Sequence, residues 1–140
     1  MWKFFFKKSP RIILYQEGIH YNLKEMYDSI NEEYFQAKLG LQITWFGRGE
    51  QVPKTRMVFG SYHHKPKLIK INRLLDRKEV PGYFIRYIIY HEMLHYVHPP
   101  IRQKNGKKSI HHKIFKEKEQ EFKEHDLAKK FLINWKDVYI

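Results

Sequence analysis

A run of apolar residues that ends in a pair of histidines most restricts how this chain folds. Val80-Pro81-Gly82 precedes the run from Tyr83 to Tyr90, and Pro99-Pro100 follows shortly after the histidines. Proline is favoured at the start of a helix, and it cannot continue one. Because the segment between the prolines is apolar almost all round, the pattern predicts a helix buried in a core.

Three polar residues near the end of this run, His91, Glu92 and His95, need partners if they are buried. Two imidazoles four residues apart face the same way on a helix, so both can bind one metal ion. In the His-Glu-x-x-His motif the histidines are zinc ligands, and the glutamate takes a proton from water. The motif predicts His91 and His95 as ligands and Glu92 as catalytic base. The alternative is a pair of hydrogen-bonded core histidines with a chance glutamate between them.

A catalytic zinc site needs a third protein ligand and an open fourth position. A metzincin has a histidine six residues after the motif, where this chain has Ile101. His98 lies a further turn along the helix, where it cannot easily reach the same ion, and we expect it to interact with the helix dipole.

The third ligand is therefore expected in residues 110–132, whose apolar residues recur at helical spacing. His111 lies four residues before Phe115 and shares its inward face, whereas His112 falls on a mostly charged face. We predict His111 rather than His112. The alternative is a carboxylate ligand of the thermolysin type, from Glu117, Glu119 or Glu121.

The residues around these motifs resemble those of a SprT-like zinc metalloprotease domain, over about residues 22 to 132. The likeness rests on Met26-Tyr27-Asp28-Ser29-Ile30-Asn31-Glu32-Glu33-Tyr34-Phe35, on Leu39, on Ile43-Thr44-Trp45, on the His91–His95 motif, and on His111 before Phe115. The resemblance implies a zincin fold, one zinc ion per chain and hydrolysis of peptide bonds in proteins. Because eukaryotic members cleave proteins crosslinked to DNA, it also implies DNA-associated proteins as substrates.

Two departures from the family pattern are visible in the residues themselves. The later family histidine commonly stands between glycines, whereas here it stands in Ile110-His111-His112. Many relatives also carry a cysteine-rich zinc ribbon, and this chain has no cysteine. Neighbouring metallopeptidase families share the spacing of the histidine before the phenylalanine, so the resemblance to SprT-like domains rests mainly on the N-terminal half.

The remaining patterns predict an α+β fold. Asn22 and Glu25 form a capping pair that opens a helix ending at Gly40, and alternation over 41–45 predicts a strand. Residues 57–62 and 67–72 predict two more strands, and Leu74-Leu75 a short helical turn. We therefore expect a single zincin-like domain over 1–140 with its core at 22–132. In it, the motif helix packs against a sheet of three or more strands, and the following helix carries the third ligand.

The absence of cysteine excludes a disulfide framework and a cysteine-ligated zinc, and it is consistent with the cytoplasm, where we expect the protein. Residues 1–21 are predicted to form an arm or strand. The apolar stretch in Met1–Lys8 is too short for a signal peptide, and no window approaches the ~18 apolar residues of a membrane span. A basic, aromatic anchor at a membrane surface is the alternative for this segment.

A formal net charge of +12 and a pI near 9.8 favour a polyanionic partner such as DNA. Arg102, Lys104, Lys107 and Lys108 lie between the two segments that carry the predicted ligands, so we predict them as nucleic-acid-binding residues. The alternative is a solvated surface, because most of the basic residues are lysines scattered along the chain.

The preferred function is a zinc-dependent endopeptidase, and two alternatives stay open. One is a non-catalytic, zinc-stabilised nucleic-acid-binding module, and the other is a zinc hydrolase of small-molecule amides or esters. The group that stabilises the oxyanion of the reaction is not identified by the sequence. Its candidates are Tyr62, His63, His64, His98 and His112.

Overall fold

The computed structural model describes residues 12–49 and 57–139, with side chains as far as Trp135. The elements are α1 Leu23–Phe35, β1 Gln42–Phe46, β2 Gly60–His63, β3 Leu68–Asn72, a 3-10 turn Arg73–Leu75, α2 Gly82–Val97, β4 Ile101–Arg102, β5 Lys108–Ser109, α3 Lys113–Gln120 and α4 His125–Tyr139. The predicted α+β class is confirmed, with a sheet of three strands and the predicted helical turn at 73–75.

The three-stranded sheet is mixed, and β3 is its central strand. β1 pairs with β3 in parallel, whereas β2 pairs with β3 antiparallel, so that Ile69 faces Ile43 on one side and Tyr62 on the other. Ile43, Ile69 and Ile71 are fully buried, as expected for strands covered by helices. The edge of β2 away from β3 has no partner among the strands of the described residues.

Residues 12–22, here called the N-terminal strap, run beside the other edge of the sheet. The Tyr15 amide donates to Thr44 Oγ1 at 2.8 Å, and the Trp45 amide donates to the Tyr15 carbonyl at 2.8 Å. The strap thereby satisfies backbone groups of β1 that would otherwise face solvent. The predicted arm thus lies against the sheet from residue 12, whereas Met1–Lys8 fall outside the described residues.

Asp76, at the end of the 3-10 turn, holds the middle of the strap. Its buried carboxylate accepts the amides of Ile19 at 2.6 Å, His20 at 2.9 Å and Tyr21 at 3.1 Å. A Cβ atom on Gly18 would lie 2.3 Å from Asp76 Oδ2, so only glycine allows this close approach. A single acidic side chain therefore fixes the bend of the strap.

Helix α1 begins as predicted and ends earlier. Asn22 caps it, because its side chain accepts the Glu25 amide at 3.1 Å. The predicted end at Gly40 is wrong, because Gln36 and Ala37 already adopt left-handed conformations, with φ of 55° and 58°. The Asn31 side chain stabilises the turn that follows: it donates to the Leu39 carbonyl at 2.8 Å and accepts the Leu39 amide at 3.1 Å.

Helix α2 is the buried helix predicted from the apolar run, and it contacts α1, α3, α4 and the sheet. It approaches β2 closely at Gly60, where a Cβ atom would lie 2.8 Å from Ile88 Cγ2. This approach sets the polar end of α2 beside the free edge of β2. No helix in the described parts of the chain combines the length and apolar character needed to cross a membrane.

The segment after α2 differs from the sequence prediction. Residues 101–109 form a short hairpin from β4 and β5, where a loop was expected. The single helical pattern over 110–132 is divided between α3 and α4, and α4 continues to Tyr139, beyond the predicted core boundary at 132. Phe115 and Phe122 are nevertheless buried in one core, as their spacing predicted, whereas Ile114 and Leu127 of the same pattern are exposed.

Candidate active site

Three histidine side chains meet at the end of α2 that faces the hairpin. His91 Nε2 lies 3.2 Å from His95 Nε2, and His95 Nε2 lies 3.4 Å from His111 Nε2. The three ligand atoms lie within 4.8 Å of one another, which suits a shared metal ion. The structure thus brings together the three residues predicted as ligands.

His111 reaches this position for a reason other than the one predicted. The helical-phase argument is wrong in detail, because His111 precedes α3 and does not lie on its face. Instead, the hairpin returns the chain to α2, and Phe115 lies against the cluster, with its ring centroid 4.7 Å from that of His95 and 5.0 Å from that of His111.

His112, predicted to lie on a charged face, is buried and has a structural role. Its Nδ1 accepts the Phe115 amide at 3.4 Å as the N-cap of α3, which leaves Nε2 to donate to the Pro99 carbonyl at 3.2 Å. His112 therefore joins the end of α2 to the start of α3.

Glu92 lies beside the cluster on α2 and is 6% exposed. Its Oε1 is 3.9 Å from His95 Nε2. Burial raises the pKa of Glu92 to about 7, opposed by His91 and reinforced by Glu119. The carboxyl group is therefore suited to gaining and losing a proton near neutral pH.

His95 and His111 are held in the neutral form, which binds metals. Burial, with the nearby His91 and His111, lowers the pKa of His95 to about 4. Burial also lowers the pKa of His111, together with the charge of His91. A neutral imidazole keeps a free nitrogen lone pair, so this donor set fits a zinc ion.

Glu119 on α3 contributes to the site in a way that the sequence analysis missed. It was considered only as an alternative metal ligand, but its Oε2 accepts a hydrogen bond from His91 Nδ1, on the side of the ring away from the other histidines. Burial opposes its ionisation, yet the hydrogen bond and charge of His91 lower the pKa of Glu119 to about 2, helped by Tyr87 and Lys129. Glu117 and Glu121 are exposed.

A sequence signal for Glu119 existed. It lies four residues after Phe115 and three before Phe122, which places a carboxylate on the buried stripe of the segment. A charged residue at such a position needs a buried partner, and His91 is that partner.

Two cavities flank the cluster. The larger one, about 620 Å³, is lined by Gly60, Ser61, Tyr62, His64, His91, Glu92, His95, Pro99, Pro100, Ile110 and His111. The smaller one, about 270 Å³, is lined by Met57, Val58, Phe59, Gly60, Tyr87, Ile88, His91, Glu92, Lys129 and Leu132. Gly60, His91 and Glu92 border both, so the two cavities lie on opposite sides of Glu92 along β2 and α2.

The candidate residues for oxyanion stabilisation differ in whether they face the larger cavity. Tyr62 and His64 line the larger cavity, with the Tyr62 hydroxyl 3.4 Å from His64 Nδ1. His63 contacts Ser61 Oγ at 3.1 Å, and His98 and His112 form the ends of helices. Tyr62 and His64 are therefore the two candidates that face the site.

The predicted nucleic-acid-binding residues lie on the β4–β5 hairpin and its turn. Arg102, Lys104, Lys107 and Lys108 are all exposed. A third cavity, of about 490 Å³, lies between the hairpin and α3 and is bordered by His111, Lys113 and Lys116. Positive charge is thus concentrated beside the third histidine.

Comparisons with known proteins agree with this arrangement. A model of the SprT-like family matches residues 23–136. Among solved structures, the crystal structure of the metallopeptidase zymogen of Methanocaldococcus jannaschii jannalysin is similar, with a TM-score of 0.52 and 18% sequence identity over 79% of this chain and 93% of that one. At that identity the likeness concerns the fold. No curated protein sequence matches the chain.

Proposed function

We propose that this chain, which belongs to the SprT-like family, is a zinc-dependent endopeptidase that cleaves protein substrates. The observation that carries the proposal is the convergence of three histidine Nε2 atoms beside a buried glutamate at the border of two open cavities. The fold shared with a metallopeptidase zymogen supports it.

His91, His95 and His111 would hold the zinc ion, which when bound polarises a carbonyl group and lowers the pKa of a nearby water molecule. Glu92 then acts as general base: its carboxylate accepts a proton from the attacking water and delivers it to the departing amine. Tyr62 or His64 donates a hydrogen bond to the oxyanion.

An extended polypeptide suits this site better than a small molecule. The edge of β2 is free of partners among the described strands, and Gly60, Ser61 and Tyr62 of that strand line the larger cavity. A peptide that pairs with this edge runs past Glu92 and places side chains in the cavities on both sides. Because the cleft extends on both sides of Glu92, a polypeptide can be cleaved at an internal peptide bond.

A non-catalytic zinc module is the competing interpretation. A structural site has a closed set of four protein ligands, whereas within residues 12–49 and 57–139 the cluster contains three. Among the described residues, Glu92 also has no contact that explains its burial apart from the histidine cluster. Both features favour catalysis.

The decisive experiment compares Glu92→Gln with His91→Ala, His95→Ala and His111→Ala. We expect the first variant to bind one zinc per chain and to lose peptide hydrolysis by at least ~10²-fold. The histidine variants should lose most of the zinc as well as the activity. Zinc content is measured by metal analysis and activity with an unstructured protein. Hydrolysis that persists in Glu92→Gln would refute the mechanism.

We further propose that the substrates are associated with DNA, because the exposed basic hairpin borders His111. Replacing Arg102, Lys104, Lys107 and Lys108 with glutamine should weaken DNA binding and flatten its dependence on salt, since fewer counterions are released. Cleavage of a DNA-bound protein should fall, while cleavage of a short free peptide should not. Equal loss on both substrates would instead assign the hairpin to positioning His111.

A further inference from the structure

We propose that Glu119 is a positioning residue, which orients the His91 ring so that its Nε2 faces the metal ion. The inference rests on the proposed function, because it concerns the same site. It adds a residue from α3 to a site whose other side chains come from α2 and from the segment before α3. Glu119 does not itself line the two cavities that flank the cluster, and its hydrogen bond to the cluster is the one with His91.

The hydrogen bond between the two residues determines which nitrogen is available. Glu119 Oε2 lies on the Nδ1 side of the ring, so a carboxylate there requires Nδ1 to carry the hydrogen. The lone pair of the neutral ring is then on Nε2, which is the atom 3.2 Å from His95 Nε2. Without Glu119, the ring is free to rotate and to adopt either tautomer.

Glu119 is itself fixed from the opposite side by α4. Its second oxygen, Oε1, lies 3.6 Å from Lys129 Nζ and 4.0 Å from His125 Nε2. Tyr87 on α2 also interacts with the carboxylate and favours its ionised form. The Glu119 side chain is 12% exposed, so these contacts restrain it in one orientation.

The charge of Glu119 has a second effect. A buried carboxylate one imidazole away from the ion makes His91 a more basic ligand, and such outer partners typically change metal affinity 10- to 100-fold. When no metal is bound, the positive charge of Lys129, 3.6 Å from Glu119 Oε1, balances the negative charge of the carboxylate. Metal affinity and catalysis should therefore both depend on Glu119, although it contacts neither the ion nor the substrate.

The test compares Glu119→Ala and Glu119→Gln with Glu117→Gln, which changes an exposed glutamate of the same helix. Zinc affinity is measured in the full chain by competition with a chromogenic chelator. Two-bond proton–nitrogen NMR correlations of the imidazoles report which nitrogen of His91 is protonated and which binds zinc. Circular dichroism establishes that each variant is folded.

In the wild-type protein we expect His91 to bind zinc through Nε2 with Nδ1 protonated. Glu119→Ala should still bind one zinc, roughly 10- to 100-fold more weakly. It should lower kcat with little change in KM, and Glu119→Gln should show a smaller loss because its amide oxygen still accepts the hydrogen bond. Glu117→Gln should match the wild type in zinc affinity, in the NMR correlations and in kcat and KM.

Unchanged zinc affinity in Glu119→Ala, or coordination of wild-type His91 through Nδ1, would overturn the proposal. So would loss of all zinc in Glu119→Ala together with its retention in His111→Ala, because Glu119 would then be a ligand. The affinity and NMR measurements do not depend on catalysis. If zinc affinity and the NMR correlations are as expected and the protein cleaves no peptide, the positioning role of Glu119 stands and the proposed function is wrong.

Discussion

Removing the charge of Glu92 should stabilise the metal-free protein. The pKa of this carboxyl group is raised from 4.5 to about 7 by burial, so the folded protein holds a proton that the unfolded chain releases. The free energy of unfolding therefore falls as the pH rises from 4.5 to about 7, and it falls no further above that pH. Glutamine has a similar shape and does not ionise, so Glu92→Gln escapes this loss.

The size of the effect follows from the two pKa values. A difference between 4.5 and about 7 corresponds to about 3 kcal/mol at pH 8 and to about 1 kcal/mol at pH 5.5. The free energy of unfolding of Glu92→Gln should thus exceed that of the wild type by an amount that grows by about 2 kcal/mol between these pH values.

The assay is urea unfolding of both proteins in the presence of a chelator at several pH values from 5.5 to 8. Glu32→Gln, which changes an exposed glutamate on α1, serves as the control and should show no such trend. Repeating the series with zinc should reduce the gain, because a nearby cation favours the carboxylate. Parallel stability curves for Glu92→Gln and the wild type without metal would refute the claim that burial of Glu92 is costly.

Two further predictions concern residues outside the cluster. His112→Ala removes the N-cap of α3 and its link to Pro99, so it should destabilise the protein by roughly 1–2 kcal/mol in urea unfolding while one zinc per chain stays bound. Asp76→Ala leaves three backbone amides of the strap without their acceptor, which should cost roughly 2–4 kcal/mol and make residues 12–22 the first site of limited proteolysis. Loss of zinc in the first variant, or unchanged proteolysis in the second, would contradict these assignments.

The parts of the fold that the sequence predicted are those governed by local chemistry. The apolar run and its prolines predicted α2, and the side chain of Asn22 predicted the start of α1. Alternation of apolar residues predicted the strands. The motif on α2 needed no tertiary information, because residues four apart on one helix are neighbours wherever that helix packs.

The predictions that were wrong concern features that depend on contacts between residues distant in the sequence. The end of α1 depends on Asn31 bonding to Leu39, and the position of His111 depends on the hairpin that returns the chain to α2. The apolar spacing over 110–132 correctly predicted that Phe115 and Phe122 are buried, but it wrongly predicted one continuous helix, since two helices can share one apolar stripe. The role of Glu119 was missed because its partner, His91, lies 28 residues earlier in the chain.

The contrast between the two edges of the sheet has a consequence for the protein in concentrated solution. Within the three-stranded sheet, the strap covers the edge at β1 and leaves the edge at β2 free, and this free edge accepts either a substrate or the β2 strand of another copy. Two copies paired in this way would block each other's clefts. The net charge of +12 on each copy, with Lys65 and Lys67 exposed in the turn after β2, opposes that encounter. The basic surface thus favours the monomer and leaves the edge available to substrates, and high salt, which screens the repulsion, should promote self-association.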